Sequence, residues 1–156
     1  MSTKNKQEIS VPEADMETKV EQSEKSSANT PKYSQEELLA IFDSIMFEGE
    51  YREDVTIKGK LKVTFKTRSA ADTSAISREL DSKQFNLIST VHEYRAMLSM
   101  GYSITGYGNK DLSGLVFSKR IEFLEKLPSV VVSAISNALV EFDIKTEAAL
   151  REQESF

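Results

Sequence analysis

Apolar residues recur along this chain with two different periods, and the changes of period mark out its elements. Leu38, Ile41, Phe42 and Ile45 fall three or four residues apart, as on one face of a helix. Just before them, Ser34-Gln35-Glu36-Glu37 matches a capping box: Ser34 is the N-cap and Glu37 reaches back to its backbone N–H. Tyr33 and Leu38 stand where a hydrophobic staple pairs them, and Gly49 supplies a stop. The spacing predicts a first helix over 35–47. The period then becomes two. Tyr51, Val55, Ile57, Leu61, Val63 and Phe65 are all odd-numbered with polar residues between them, which predicts two strands turning at Gly59. Cross-strand partners share a face, so the turn must have an odd length. A loop of Ile57-Lys58-Gly59 puts the glycine at the left-handed position of a bulged turn and pairs Val55 with Leu61, Tyr51 with Phe65 and Asp54 with Lys62. The rival loop, Lys58-Gly59-Lys60, keeps the same faces but moves the glycine.

From Ser69 the helical period returns. Ser69 with Asp72 is a second capping signal, followed by Ala71, Ala75, Ile76 and Leu80, with a break near Asp81-Ser82. Leu87, Val91, Tyr94, Leu98 and Tyr102 predict a longer helix. Gly101, Gly106 and Gly108 mark its end and a loop through Asn109-Lys110-Asp111. Phe117, Ile121, Leu124 and Leu127 predict a fourth helix. Pro128 stops it and suits the first turn of the last one, which carries Val131, Ile135, Ala138, Leu139 and Phe142 and frays from Arg151 to Phe156.

Residues 1–32 show neither period. Five lysines stand against six acids, and Ile9, Val11, Met16 and Val20 are the largest apolar residues after Met1. Such a segment buries too little apolar area to offset the entropy of ordering it, so a disordered tail is expected. The expected fold is therefore α+β and mostly helical. The tail over 1–32 precedes a single domain over 33–156, in which one β-hairpin packs with about five helices.

Composition narrows the function classes. The 156 residues carry 20 basic and 25 acidic side chains, net -5, which argues against a dedicated nucleic-acid binder. There is no cysteine, so disulfides, thiolate nucleophiles and Cys-type metal sites are excluded. No apolar run follows Met1-Ser2-Thr3-Lys4, and no stretch approaches the ~18 apolar residues of a membrane helix. Neither a signal peptide nor a membrane partner is expected, and the chain reads as cytoplasmic.

Candidate chemistry is sparse. His92 is the only histidine, lies mid-helix, and has no placed partner or second ligand around it. Gly101 to Lys110 is glycine-rich, but Lys110 is flanked by Asn109 and Asp111, so it is no phosphate loop. Asp111-Leu112-Ser113 lacks the alternating ligands of a calcium loop. No catalytic, metal or cofactor residue is assigned. Two candidate partner surfaces remain. Lys60, Lys62, Lys66 and Arg68 are even-numbered, opposite the apolar face, and form a basic stripe. Lysines there discourage edge-to-edge aggregation; the same stripe also suits an acidic partner segment. The other candidate is apolar surface left open between the long helices, near Tyr102 and Tyr107.

Several segments resemble tail-assembly chaperones of tailed bacteriophages, including the small baseplate-hub assembly proteins of contractile-tailed phages. They are Phe-Glu-Gly-Glu-Tyr at 47–51, the hairpin at 55–65, Lys-Thr-Arg-Ser-Ala at 66–70, Gly-Tyr-Gly-Asn-Lys-Asp-Leu at 106–112 and Arg-Ile-Glu-Phe-Leu-Glu-Lys-Leu-Pro at 120–128. The resemblance spans 47–142 and records structural junctions rather than chemistry; the charged tail lies outside it. It implies a non-enzymatic adaptor in the host cytoplasm that binds phage tail proteins, either the tape-measure protein or tail-tube and hub subunits. A homo-oligomer formed on the client fits the same picture. The alternatives are a structural virion component, such as a small baseplate or tail-hub subunit, and, last, an enzyme using the Gly101–Lys110 loop.

Overall fold

A computed structural model describes residues 32–154. The tail expected over 1–32 therefore falls outside the described residues, apart from Lys32. The chain divides into Met1–Ser34 and Gln35–Phe156, and the second unit carries the fold described below.

The mostly helical α+β class holds. The order is α1 (Gln35–Asp43) running into a π-helical turn (Ser44–Glu48), β1 (Arg52–Ile57), β2 (Leu61–Lys66), α2 (Ala70–Asp81), α3 (Ile88–Ser103), β3 (Ile104–Tyr107), β4 (Lys110–Asp111), α4 (Phe117–Glu125) and α5 (Ser129–Glu154). The first helix stops where expected: Gly49 takes φ 88° and donates its N–H to Ile45 O at 3.2 Å. The last turn is wider than an α-turn, and this leaves Met46 and Phe47 facing solvent. At α2 the capping box forms in full, with Asp72 N–H donating to Ser69 Oγ at 3.1 Å and Ser69 N–H to Asp72 Oδ2 at 2.9 Å.

Parity is obeyed in the hairpin: Val63 and Phe65 are buried, Val55 and Leu61 half-buried, and Lys60 and Lys62 exposed. The register is the rival one. Ile57 pairs with Leu61, Val55 with Val63, Glu53 with Phe65 and Asp54 with Thr64. Lys58 (φ 53°) and Gly59 (φ 71°) are both left-handed, and Lys60 N–H donates to Ile57 O at 3.1 Å. The tight turn is thus Lys58-Gly59, with the glycine second and Lys60 as the extra residue. Both registers keep the odd face inward, so alternation could not separate them.

The sheet is larger than one hairpin. Its order is β1-β2-β3-β4, antiparallel throughout. The segment expected to be a loop between helices is instead the last turn of α3 followed by β3 and β4. Gly101 lies buried in that last turn. Gly108, at φ 58°, provides the β3–β4 turn, and its N–H donates to Lys62 O at 2.7 Å. Gly106 faces Thr64 so closely that a Cβ there would lie 3.0 Å from Thr64 Oγ1.

One face of the sheet is covered by α5. Phe142 stacks on Tyr51 (6.0 Å between centroids) and tilts against Phe65 (5.7 Å). Val63, Phe65, Met100, Ile104, Leu124, Ile135, Leu139 and Phe142 form the main core. The end of the stretch expected to fray, 155–156, lies outside the described residues, and the last helix runs to Glu154 with α1 packed along it. Thr146 and Ala149 are buried there, and Gln35 Nε2 donates to Glu152 Oε2 at 3.2 Å. A second, smaller cluster of Ile76, Leu80 and Leu98 joins α2 to α3.

Candidate partner-binding groove

The basic stripe does not survive as a continuous surface. Lys60 and Lys62 are exposed, Lys66 is half-buried, and Lys62 Nζ lies 3.8 Å from Asp54 Oδ2 on the neighbouring strand. Arg68 turns inward instead of continuing the stripe. Strand β2 ends at Lys66, so the alternation no longer aims the side chain outward two residues later. Its guanidinium turns in, with Nη1 donating to Ser103 Oγ at 2.6 Å and Nη2 to Asp143 Oδ2 at 2.7 Å. Arg68 therefore ties the exit of β2 to the end of α3 and to α5. On the outer sheet face Asp54 and Asp111 interleave with Arg52 and Lys62, giving mixed charge.

Neither tyrosine is a free platform. Tyr102 stacks on Phe117 at 4.1 Å and 15° between planes, and Tyr107 meets Phe123 edge-on at 5.1 Å. Both are half-buried by intramolecular partners. His92 is exposed on α3. Among the described residues no three His, Asp or Glu side chains gather as a metal-binding group, and no helix is long and apolar enough to cross a membrane.

Besides a shallow concavity on the outer sheet face beside Arg52, Lys62 and Lys110, two open stretches lie between the helices. One stretch, about 510 Å³, is bounded by α3 (Glu93, Tyr94, Met97), α4 (Phe117, Ile121, Glu125) and Glu79 of α2. A second, about 570 Å³, is bounded by α3 (Met97, Met100), the end of α4 (Leu124, Leu127) and the start of α5 (Val132, Ser133). The two stretches share Glu93, Met97 and Glu125, so they adjoin along these residues and are taken together as the groove. Met100 and Leu124 on its floor also belong to the main core, and Met97 and Val132 pack against that core while remaining partly accessible. Its shape follows from the sequence. Residues 90, 93, 97 and 100 lie on one side of α3, at three- and four-residue steps. Gly101, one residue on, lets α4 approach closely.

Among the described residues, three carboxylates and no basic residue line the groove. Glu79 is engaged: Tyr94 O–H donates to its Oε1 at 2.9 Å, and Lys83 Nζ is 3.9 Å away. Burial, and the Glu79 carboxylate accepting the phenol proton, push Tyr94 above its usual value. Glu93 and Glu125 differ. Both are exposed, and among the described residues neither is paired with a cation. Glu125 is the last residue of α4, where the helix dipole disfavours a negative charge. Lys119, by contrast, bonds Glu122 at 3.1 Å and, with the field of Lys126, draws that carboxyl below its usual value.

Deeper in the fold, Lys145 binds Glu37 Oε1 (2.6 Å) and Glu53 Oε1 (2.5 Å), and Tyr51 O–H donates to the same Glu53 oxygen at 3.2 Å. Burial works against the ammonium, but the two carboxylates outweigh it and hold Lys145 well above the usual lysine value. This cluster joins α1, β1 and α5 and faces no opening described above. Comparison with protein-family models, with curated proteins and with solved structures returns no match.

Proposed function

We propose that this chain is a non-enzymatic chaperone of bacteriophage tail assembly, holding a helical client such as the tape-measure protein soluble until tail-tube or hub subunits replace it. The observation that carries the reading is the groove across α3, α4 and α5. It is open, its floor is apolar, and its methionines adapt to side chains of different shape. A long amphipathic helix exposes an apolar stripe that aggregates unless it is covered, and helix-in-groove docking covers it. Modest affinity per copy, multiplied by many copies along one client, gives firm yet releasable binding. The resemblance of 47–142 to tail-assembly chaperones points the same way, and the host cytoplasm is where such a client is made.

The test is capture from infected cells with the tagged full chain. A tail protein rich in helical heptads is the expected catch, reduced in the Met97→Gln variant and retained when Lys62 and Lys66 are both changed to Glu. Capture that survives Met97→Gln but is lost on the lysine changes would move the site back to the basic stripe. Mass spectrometry of purified particles separates a chaperone, absent or at trace level, from a stoichiometric virion subunit.

A further inference from the structure

From the groove's lip charges we infer that its occupant is an amphipathic helix whose apolar stripe is flanked by lysines or arginines. This rests on the helical-client reading above and goes beyond it by fixing the sign of the client's charge. A basic stripe on the hairpin would have called for an acidic partner; the groove calls for the opposite.

First, the groove has polarity. Met97 lies on the stretch shared by both halves, and Glu93 and Glu125 border that same stretch from two different helices. A helix laid over Met97 passes between two carboxylates. Second, these two are the groove carboxylates without a local cation, whereas Glu79 is held by Tyr94 and Lys83. Glu122, Glu147 and Asp143 are each paired, with Lys119, Arg151 and Arg68, while Asp43 and Asp81, which also end helices with no cation partner among the described residues, border neither stretch of the groove. Third, Glu125 stands at the helix end where a negative charge is least favoured, so the domain carries its cost with no intramolecular return. A cation arriving with a partner pairs with both carboxylates at the border of an apolar contact, where water is partly excluded and the attraction is stronger than on open surface. An acidic or uncharged helix gains nothing from them, and an acidic one is repelled.

The experiment uses the full chain and two synthetic amphipathic helices with an identical leucine stripe, one flanked by lysines and one by glutamates. Affinity is read by fluorescence anisotropy at low and at physiological salt. The lysine helix should bind about tenfold more tightly than the glutamate helix, as expected for two partly exposed ion pairs. That preference should shrink as salt screens it. The Glu93→Gln/Glu125→Gln variant should lose most of the preference while keeping its helical circular dichroism. The Glu36→Gln/Asp43→Asn variant removes the same net charge from α1 and should retain the preference. Equal binding of both helices overturns the charge inference and leaves the helical groove standing. Binding of neither helix overturns both readings. A preference that persists in Glu93→Gln/Glu125→Gln, or vanishes equally in the α1 variant, overturns the assignment of these two carboxylates.

Discussion

Gly101→Ala sets two opposed effects against each other at the closest approach of α3 and α4. In an open helix the change stabilises, because alanine is favoured over glycine by about 1 kcal/mol. Here a Cβ would stand 2.6 Å from Ile121 Cδ1 and 2.7 Å from Phe117 Cε2. Ile121 can swing its terminal methyl away. Phe117 can retreat only by giving up its stack on Tyr102, 4.1 Å away. Overpacking of this kind costs about 1–3 kcal/mol. The net expectation is a loss of about 1–2 kcal/mol, or roughly 3–6 °C in Tm for a domain of this size. Urea titration followed by circular dichroism measures it as a lower midpoint with an unchanged slope. Gly114→Ala is the control: a Cβ there meets nothing within 4 Å, and stability should hold to within about 0.5 kcal/mol. Ile121→Val removes the atom at 2.6 Å, so Gly101→Ala should cost less in that background by about 0.5–1 kcal/mol. A Gly101→Ala protein as stable as the parent, with no coupling to Ile121, would refute the tight crossing.

Three further outcomes follow from the packing. Phe65→Ala removes a side chain with 0% exposure from the main core and should lower stability by about 3–5 kcal/mol in the same titration. Lys58→Asn places a residue more tolerant of φ 53° in the hairpin turn and should raise stability by somewhat under ~1 kcal/mol; a loss would mean that Lys58 contributes something its backbone does not explain. Because Lys145 is raised above its usual value, its contribution is complete below about pH 10.4, the unfolded lysine value, and disappears as pH climbs through the higher folded value. Urea midpoints measured across that alkaline range should fall for the parent, and the Lys145→Met variant should lack this step.

Much of the fold was legible because local signals and tertiary needs agreed. The Ser69 and Asp72 box works within a few residues of chain and forms as read. Strand parity is equally local. Register is not: two turns preserve the same faces, and only the backbone angles at Lys58 and Gly59 decide between them. Strands β3 and β4 were hidden because Ile104-Thr105-Gly106-Tyr107 is short and interrupted by glycine. What holds it is pairing with β2, about forty residues earlier in the chain. Arg68 was misread because its partners, Ser103 and Asp143, lie far along the sequence. Open apolar surface between the long helices was expected near Tyr102 and Tyr107, but the residues that line the groove were not legible. Met97, Ile121 and Val132 come from three helices and each reads as core, while Glu93 and Glu125 read as ordinary solvated helix charges.

The separation of the two apolar clusters gives the groove a wall of unequal strength. On the α2 side, the helix is anchored by only two buried side chains, Ile76 and Leu80, which meet Leu98 rather than the main core. Peeling α2 away re-exposes Ile76 and Leu80, about 3–6 kcal/mol of apolar burial, together with the face of Leu98 they cover, against the ~5–15 kcal/mol that holds a whole domain. Native-state hydrogen exchange should therefore find α2 opening as its own unit, ahead of α5 and the sheet. Since Glu79 travels with α2, that opening also lengthens the channel at one end. Such an opening leaves the sheet and its Phe65–Phe142 contact undisturbed.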